Sequence, residues 1–198
     1  MTLPYFAAAA VWRQLFWDSY IVWALFEVWT FRRDRKQVAG TAHDQGSMVA
    51  LVFLMVLGLM LAFIASGQAP FAHIAMPPVP RIGAAIFLIW SGMALRLWAI
   101  LTLGKFFRTA VFILDEHRLV TAGPYHLLRH PAYTGSLITL AGIGLGLGNW
   151  LSLVAILLCS VVGYRLRIRV EDRALRTRFG EAFDANRRRT WALIPFVW

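Results

Sequence analysis

Residues 48–66 form an apolar run without a single charged side chain. A run this close to the ~20 residues that a helix needs to cross the hydrocarbon of a bilayer leaves few folds open. In lipid every backbone N–H and C=O must find its partner within the chain, so the run is read as a membrane-spanning α-helix. Residues 15–31, 82–103, 132–147 and 150–164 are also largely apolar, and 59% of the 198 residues are hydrophobic. A soluble domain sits nearer half. The predicted fold class is therefore all-α: an integral membrane bundle of about five transmembrane helices.

Taken in order, the first run is the least regular. It extends back as far as Pro4 and holds Asp18 and Glu27. Acids within a span are functional candidates by default, but both lie near its ends, where solvation at the interface is the preferred reading. The start of the chain lacks the basic segment and small-residue cleavage site of a secretory signal, so the run is expected to be retained. Residues 40–46 form a polar loop whose His43 is read as solvated. The loop 67–80 has four prolines and no basic residue, and its His73 is assigned no role. Arg96 interrupts the third run; it either snorkels to the interface or lines a polar cavity. The runs 132–147 and 150–164 meet at Gly148-Asn149 and are short for full spans. They extend into their flanks or form a hairpin that does not fully cross. Gly135, Gly142, Gly144 and Gly146 thin the first of them and permit close helix packing. Cys159 is the single cysteine, which excludes an internal disulfide and reads as a small packed side chain. With no repeat, linker or second hydrophobic unit, the expected organisation is one membrane domain, 1–198, in which 1–80 act as scaffold helices.

Charge orients the bundle. The formal net charge is +10, and of the 20 lysines and arginines all but Arg13, Arg81 and Arg96 fall in the segment after the first run, in the loop 104–131, or in the tail beyond residue 164. Basic residues collect on the cytoplasmic side, so these segments are expected to share that face of a multi-pass membrane protein. The charge points to anionic lipid headgroups as partners rather than to nucleic acid.

The densest polar stretch is Gly123-Pro124-Tyr125-His126-Leu127-Leu128-Arg129-His130-Pro131-Ala132-Tyr133-Thr134-Gly135. Gly-Pro marks a turn. His130-Pro131 marks a helix start, with proline where its missing N–H costs nothing. Free N–H groups at that helix end, with Arg129 and His130, suit an anion; a basic loop leading into a proline-started helix would read the same way. In the tail, Arg167, Glu171 and Leu175 share one helical face, as an ion pair or as something more. Arg165, Arg169, Arg173 and Arg176 form a separate stripe suited to headgroups.

The stretch resembles the arginine-histidine-proline, tyrosine, glycine signature of the isoprenylcysteine carboxyl methyltransferases. That family's paired acids, leucine and Phe-Gly are matched by Glu171-Asp172, Leu175 and Phe179-Gly180. The resemblance covers roughly residues 101–195. It implies an S-adenosylmethionine-dependent enzyme with no metal, whose methyltransferase core is 81–198 and whose cytoplasmic cofactor-binding loop and C-terminal helix enclose the donor. It implies cofactor contacts from His117, Arg118, Leu119 and Val120, whose backbone suits adenine, and from Tyr125, His130, Pro131, Ala132, Tyr133 and Glu171. It also implies that Arg167 holds the carboxylate of a lipophilic, prenylcysteine-like acceptor, and an arginine fork is well shaped for that. Transfer to a carboxylate needs positioning rather than a base.

The chain departs from the family in having Glu-Asp for Glu-Glu, Ala110 where eukaryotic relatives offer a polar side chain, and a short N-terminal region. Two alternatives stay open. One is a phospholipid or other small-lipid N- or O-methyltransferase, for which Glu171, Asp172 or His117 would have to act as base. The other is a non-catalytic membrane scaffold or transport subunit.

Overall fold

The structure, a computed structural model, describes residues 3–35, 41–42, 46–107, 112–113 and 119–197. Six α-helices account for most of them: α1 (Leu3–Arg35), α2 (Ser47–Gln68), α3 (Pro78–Leu103), α4 (Pro131–Gly146), α5 (Trp150–Phe179) and α6 (Glu181–Arg189). Thr41-Ala42 and Phe112-Ile113 form a two-residue antiparallel ladder, which ties the loop after α1 to the loop after α3. Among the described residues, α2, α3 and α5 are long and apolar enough to cross a membrane. α4 has 16 residues, and α1, although 33 residues long, carries Arg13, Asp18 and Glu27 along it.

The helices pack as α3 with α4, α2 with α5, α4 with α5, and α1 against α3. Small residues set the closest contacts. A Cβ on Gly135 would lie 2.6 Å from the Gly92 carbonyl oxygen, and one on Gly142 would lie 2.7 Å from that of Ala85, so α3 and α4 meet backbone to backbone. Ile82, Ala85, Ile89, Leu140, Ile143 and Ile156 form the dry centre, joined by Phe16 and Trp23 of α1. Outward-facing positions are also large and apolar, with Val49, Phe53, Phe87 and Leu158 all more than half exposed. Such a surface suits lipid rather than water.

One end of the bundle is stitched shut. The Asn149 side chain accepts from the amides of Leu151 and Ser152 at 2.9 and 3.2 Å, capping α5, and donates to the carbonyls of Ala65 and Ala69 at 3.3 and 2.7 Å. Arg81 is buried and donates to the carbonyls of Leu145 and Gly146 at 3.0 and 2.7 Å. It thereby adds a donor to carbonyls at the end of α4, where the helix runs out of its own amides; Leu145 O also accepts from Gly148 N–H at 3.0 Å. Gly148 turns the chain there with φ 72°, and a Cβ on it would meet the Arg81 guanidinium at 2.5 Å. His73 takes part only through a backbone bridge to Asn149.

The opposite end holds the C-terminus of α1, the start of α2, the end of α3, the start of α4 and the extended half of α5. α5 runs without a break from the apolar run into the arginine-rich segment, as the sequence indicates. After α6 the chain crosses back over this end. Trp191 N–H donates to Leu127 O at 3.0 Å, Arg129 N–H to Trp191 O at 2.7 Å, and His130 N–H to Ala192 O at 3.1 Å.

Candidate functional site

The turn Gly123–His126 buries Tyr125 and delivers Arg129 and His130 to the start of α4, with Pro131 in its first turn. Tail contacts fix this geometry, and the Thr134 hydroxyl adds a bond to Leu193 O at 2.7 Å. His130 and Arg129, expected from the sequence to draw an anion, face the acids of α5. His130 Nε2 lies 2.9 Å from Asp172 Oδ1 and its Nδ1 3.7 Å from Glu171 Oε2, while Arg129 Nε lies 4.0 Å from Asp172 Oδ2. The Arg129 head also donates to the carbonyls of Arg187 and Thr190. The distant halves of the motif, 123–135 and 167–172, therefore meet in space.

Arg167 is the largest fully buried side chain described, at 1% exposure. A buried guanidinium is tolerated only with partners on its donors. Nη1 donates to Ser47 Oγ at 2.8 Å, and Nε reaches the Tyr133 hydroxyl at 3.4 Å. That hydroxyl donates to Glu171 Oε2 at 2.7 Å. Tyr133 therefore couples the two residues that one helical face was expected to pair. The rings of His130, Tyr133 and Tyr164 stack in series, with centroids 5.5 and 4.9 Å apart.

One turn along α4 from Tyr133, Ser136 receives a hydrogen bond from Arg96 Nη1, and Arg96 Nη2 pairs with Glu27 Oε2 at 2.9 Å. Of the two readings left open for Arg96, the structure adopts the polar cavity. Glu27 departs from the expected interfacial solvation: it bridges α1 to α3. Its position near the end of an apolar run gave no hint of this, because only the packing of α1 on α3 brings an arginine alongside.

These residues border a cavity of about 630 Å³. Glu27, Arg96, Tyr125, Arg129, His130, Ala132, Tyr133, Tyr164 and Glu171 contribute to its wall, as do Leu119 and Val120 from the long loop. Val28 of α1 and Val52, Val56 and Leu59 of α2 extend it as an apolar lane. α1 and α2 meet near the stitched end, where the Trp17 and Phe63 rings stack at 6.2 Å. Towards the site end the cavity lies between them.

Of the residues singled out in the sequence, Leu119, Val120, Tyr125, His130, Ala132, Tyr133 and Glu171 line the cavity, Pro131 is buried at the start of α4, and Arg167 stands behind Tyr133. His117 and Arg118, with Ala110, lie outside the described residues. Sequence reasoning missed Ser47, Ser136 and Tyr164, whose hydroxyls carry no signal until helices are paired. Burial pushes the Tyr125 hydroxyl well above its ordinary range, and the charge of Glu171 adds to this. Arg129 is shifted down by burial, aided by Arg187 and opposed by Asp172.

The sequence model of the isoprenylcysteine carboxyl methyltransferase (ICMT) family matches residues 84–177. A probable protein-S-isoprenylcysteine O-methyltransferase of Oryza sativa subsp. indica is 34% identical over 121 residues, 60% of this chain and 62% of the relative. Protein-S-isoprenylcysteine O-methyltransferase B of Arabidopsis thaliana is 36% identical over 115 residues, 56% of this chain and 57% of the relative. The chain thus spans about three fifths of the length of these plant relatives. A solved structure of the eukaryotic intramembrane Ras methyltransferase ICMT superposes with a TM-score of 0.60 at 27% identity, covering 74% of this chain and 52% of that one. These matches bear out the resemblance carried by the arginine-histidine-proline stretch and the acid pair.

Proposed function

We propose that this chain, with its ICMT-family segment at 84–177, is an S-adenosylmethionine-dependent membrane methyltransferase that esterifies the carboxylate of a prenylcysteine-like acceptor. The observation that carries the reading is the joining of Arg167 to Glu171 through the Tyr133 hydroxyl beside a cavity with one polar end and one apolar lane. In this reading all five long helices lie in the membrane as one domain, and the positive-inside pattern puts the polar end at the cytoplasmic face.

The residues present fit the cofactor. Glu171 offers a carboxylate to an ammonium. Arg129 Nε makes no hydrogen bond and lies 4.0 Å from Asp172 Oδ2, and the cation suits the cofactor's carboxylate in exchange for that long contact. The rings of Tyr125 and Tyr133 offer faces to a sulfonium, and Leu119 and Val120, with His117 and Arg118 before them, offer backbone to adenine. His130, Pro131 and Ala132 shape the turn that presents these groups. When bound, the cofactor supplies an electrophilic methyl group on sulfur.

The chain's own task is then to aim an anion and keep water away. A carboxylate is already a nucleophile, so no proton need be moved. Arg167, locked by Ser47 and Tyr133 behind the cavity wall, is preorganised to orient it by its charge through Tyr133, and positioning of this kind is worth several kcal/mol. Leu175, Ala174 and Phe183 close the wall with apolar surface, which strengthens the charge interactions inside. The acceptor's chain lies in the lane between α1 and α2, entered sideways from lipid, and the arginines of α5 and α6 rest on anionic headgroups.

The test is transfer from a methyl-labelled donor to a short S-prenylated N-acetylcysteine in reconstituted membranes, followed by mild base. Volatile label is expected, because a methyl ester releases methanol. Label that survives base would mark an ether or amine and replace this reading with an N- or O-methyltransferase of another lipid. No transfer and no donor binding would leave the scaffold alternative.

A further inference from the structure

Glu27 lies outside the stretch matched by the family, yet it lines the cavity and makes an ion pair with Arg96. Only its Oε2 is engaged. Oε1 is buried with no hydrogen-bond partner, and so is Arg96 Nε. A carboxylate oxygen withdrawn from water without a donor is costly, and so is a guanidinium N–H without an acceptor. Such a pair is completed by a ligand that brings one donor and one acceptor close together.

Its place in the cavity says which ligand. Glu27 stands where the apolar lane of Val28, Val52 and Val56 meets the polar end formed by Arg96, Tyr133 and Glu171. An amphiphile with its chain in the lane and its carboxylate at the polar end puts the carbon that joins them beside Glu27. A plain fatty acid brings only negative charge to that point. An N-acylated amino acid brings an amide N–H next to its carboxylate.

We infer that Glu27 is a specificity-determining residue that accepts a hydrogen bond from an amide N–H adjacent to the acceptor's carboxylate, selecting amino-acid-derived lipids over simple lipophilic acids. This rests on the methyl-ester reading above and deepens it. The glutamate is supplied by α1, so the choice of acceptor is made partly outside the family-matched segment.

The test compares two acceptors with the same prenyl thioether and carboxylate, N-acetyl-S-farnesylcysteine and its analogue with hydrogen in place of the acetamido group. The wild-type protein is expected to favour the first by about tenfold in kcat/KM, the worth of one hydrogen bond to a charged group. Glu27→Gln keeps an oxygen for Arg96 but turns the open acceptor into a donor, so the ratio should fall to within about twofold of one. The N-methylated amide, assayed on unaltered protein, should lose the same factor as the acetamido deletion, which makes the test independent of how well the variant folds. An unchanged ratio in Glu27→Gln, or an N-methyl amide as good as the N–H form, overturns the inference and leaves the methyl-ester reading intact. Weakened binding of S-adenosylhomocysteine by Glu27→Gln assigns the carboxylate to the cofactor and also overturns it. Transfer to neither acceptor by the wild-type protein overturns the methyl-ester reading, and the inference falls with it.

Discussion

At one end of the bundle, Asn149 and Arg81 direct their polar atoms to main-chain groups: carbonyls of α2, of α4 and of the segment after α2, and the first amides of α5. At the other end, Arg167, Tyr133, Glu171, His130, Arg96 and Glu27 direct theirs to side chains, to one another and to Ser47, Ser136 and Asp172. The first arrangement finishes secondary structure, with Arg81 Nε the atom it leaves without a hydrogen-bond partner, and it borders main chain rather than other charged side chains. The second surrounds a cavity and leaves single atoms of Glu27, Arg96 and Arg129 without hydrogen-bond partners. Buried polar residues are therefore not by themselves a sign of function. What distinguishes the end proposed to work is a network of side chains, one of them a fully buried cation, beside space a ligand can occupy.

Substitutions at the two ends should separate in what they change. Arg167→Ala should have the largest effect, lowering methyl transfer to a carboxylate by about 100-fold or more, as loss of positioning does, while S-adenosylhomocysteine affinity stays within about threefold. Loss of cofactor binding instead would move Arg167 from the acceptor to the donor. At the stitched end, Asn149→Ala removes a helix cap and two carbonyl partners and should cost about 2–3 kcal/mol of stability in detergent. Its specific activity below the unfolding temperature should match the wild-type value. A fall in activity with unchanged stability would break the contrast between the two ends.

Tyr133→Phe keeps the ring stack and removes only the hydroxyl between Arg167 and Glu171. It should reduce kcat/KM by about tenfold with little change in the melting temperature. The smallest effect concerns pH. The raised Tyr125 hydroxyl favours the neutral form in the folded state, so its contribution is fully present below the ordinary phenol value of 10.0 and is lost as pH rises above it towards the folded value. Tyr125→Phe should flatten that alkaline loss of stability in a thermal-shift series, and an unchanged slope would remove Tyr125 as its source.

How far the sequence revealed this contrast depends on the range of the forces involved. Hydropathy placed α2 and α3 to within a few residues, because lipid imposes a length and a composition on each helix separately. The glycines of α4 signalled close packing for the same local reason. The pairing of residues 123–135 with Arg167 and Glu171 was readable from the family resemblance, not from spacing. Glu27 and Arg81 were not readable. Each looks like an ordinary charge near a helix end, and its partner is fixed only when α1 docks on α3, or when α4 ends beside the start of α3. The crossing of residues 190–193 over the start of α4 escaped notice too, since single backbone bonds leave no mark on side-chain pattern.

The central claim, that stretches distant in sequence meet to hold the methyl donor at the working end, is tested most directly by calorimetric titration with S-adenosylhomocysteine. Solubilised wild-type protein, Glu171→Gln and Asn149→Ala would be compared. The account predicts saturable binding by the wild type and by Asn149→Ala, and binding weakened about tenfold in Glu171→Gln, as loss of one charge-assisted hydrogen bond requires. No heat of binding by the wild type at millimolar ligand, or equal weakening in the two variants, would contradict it.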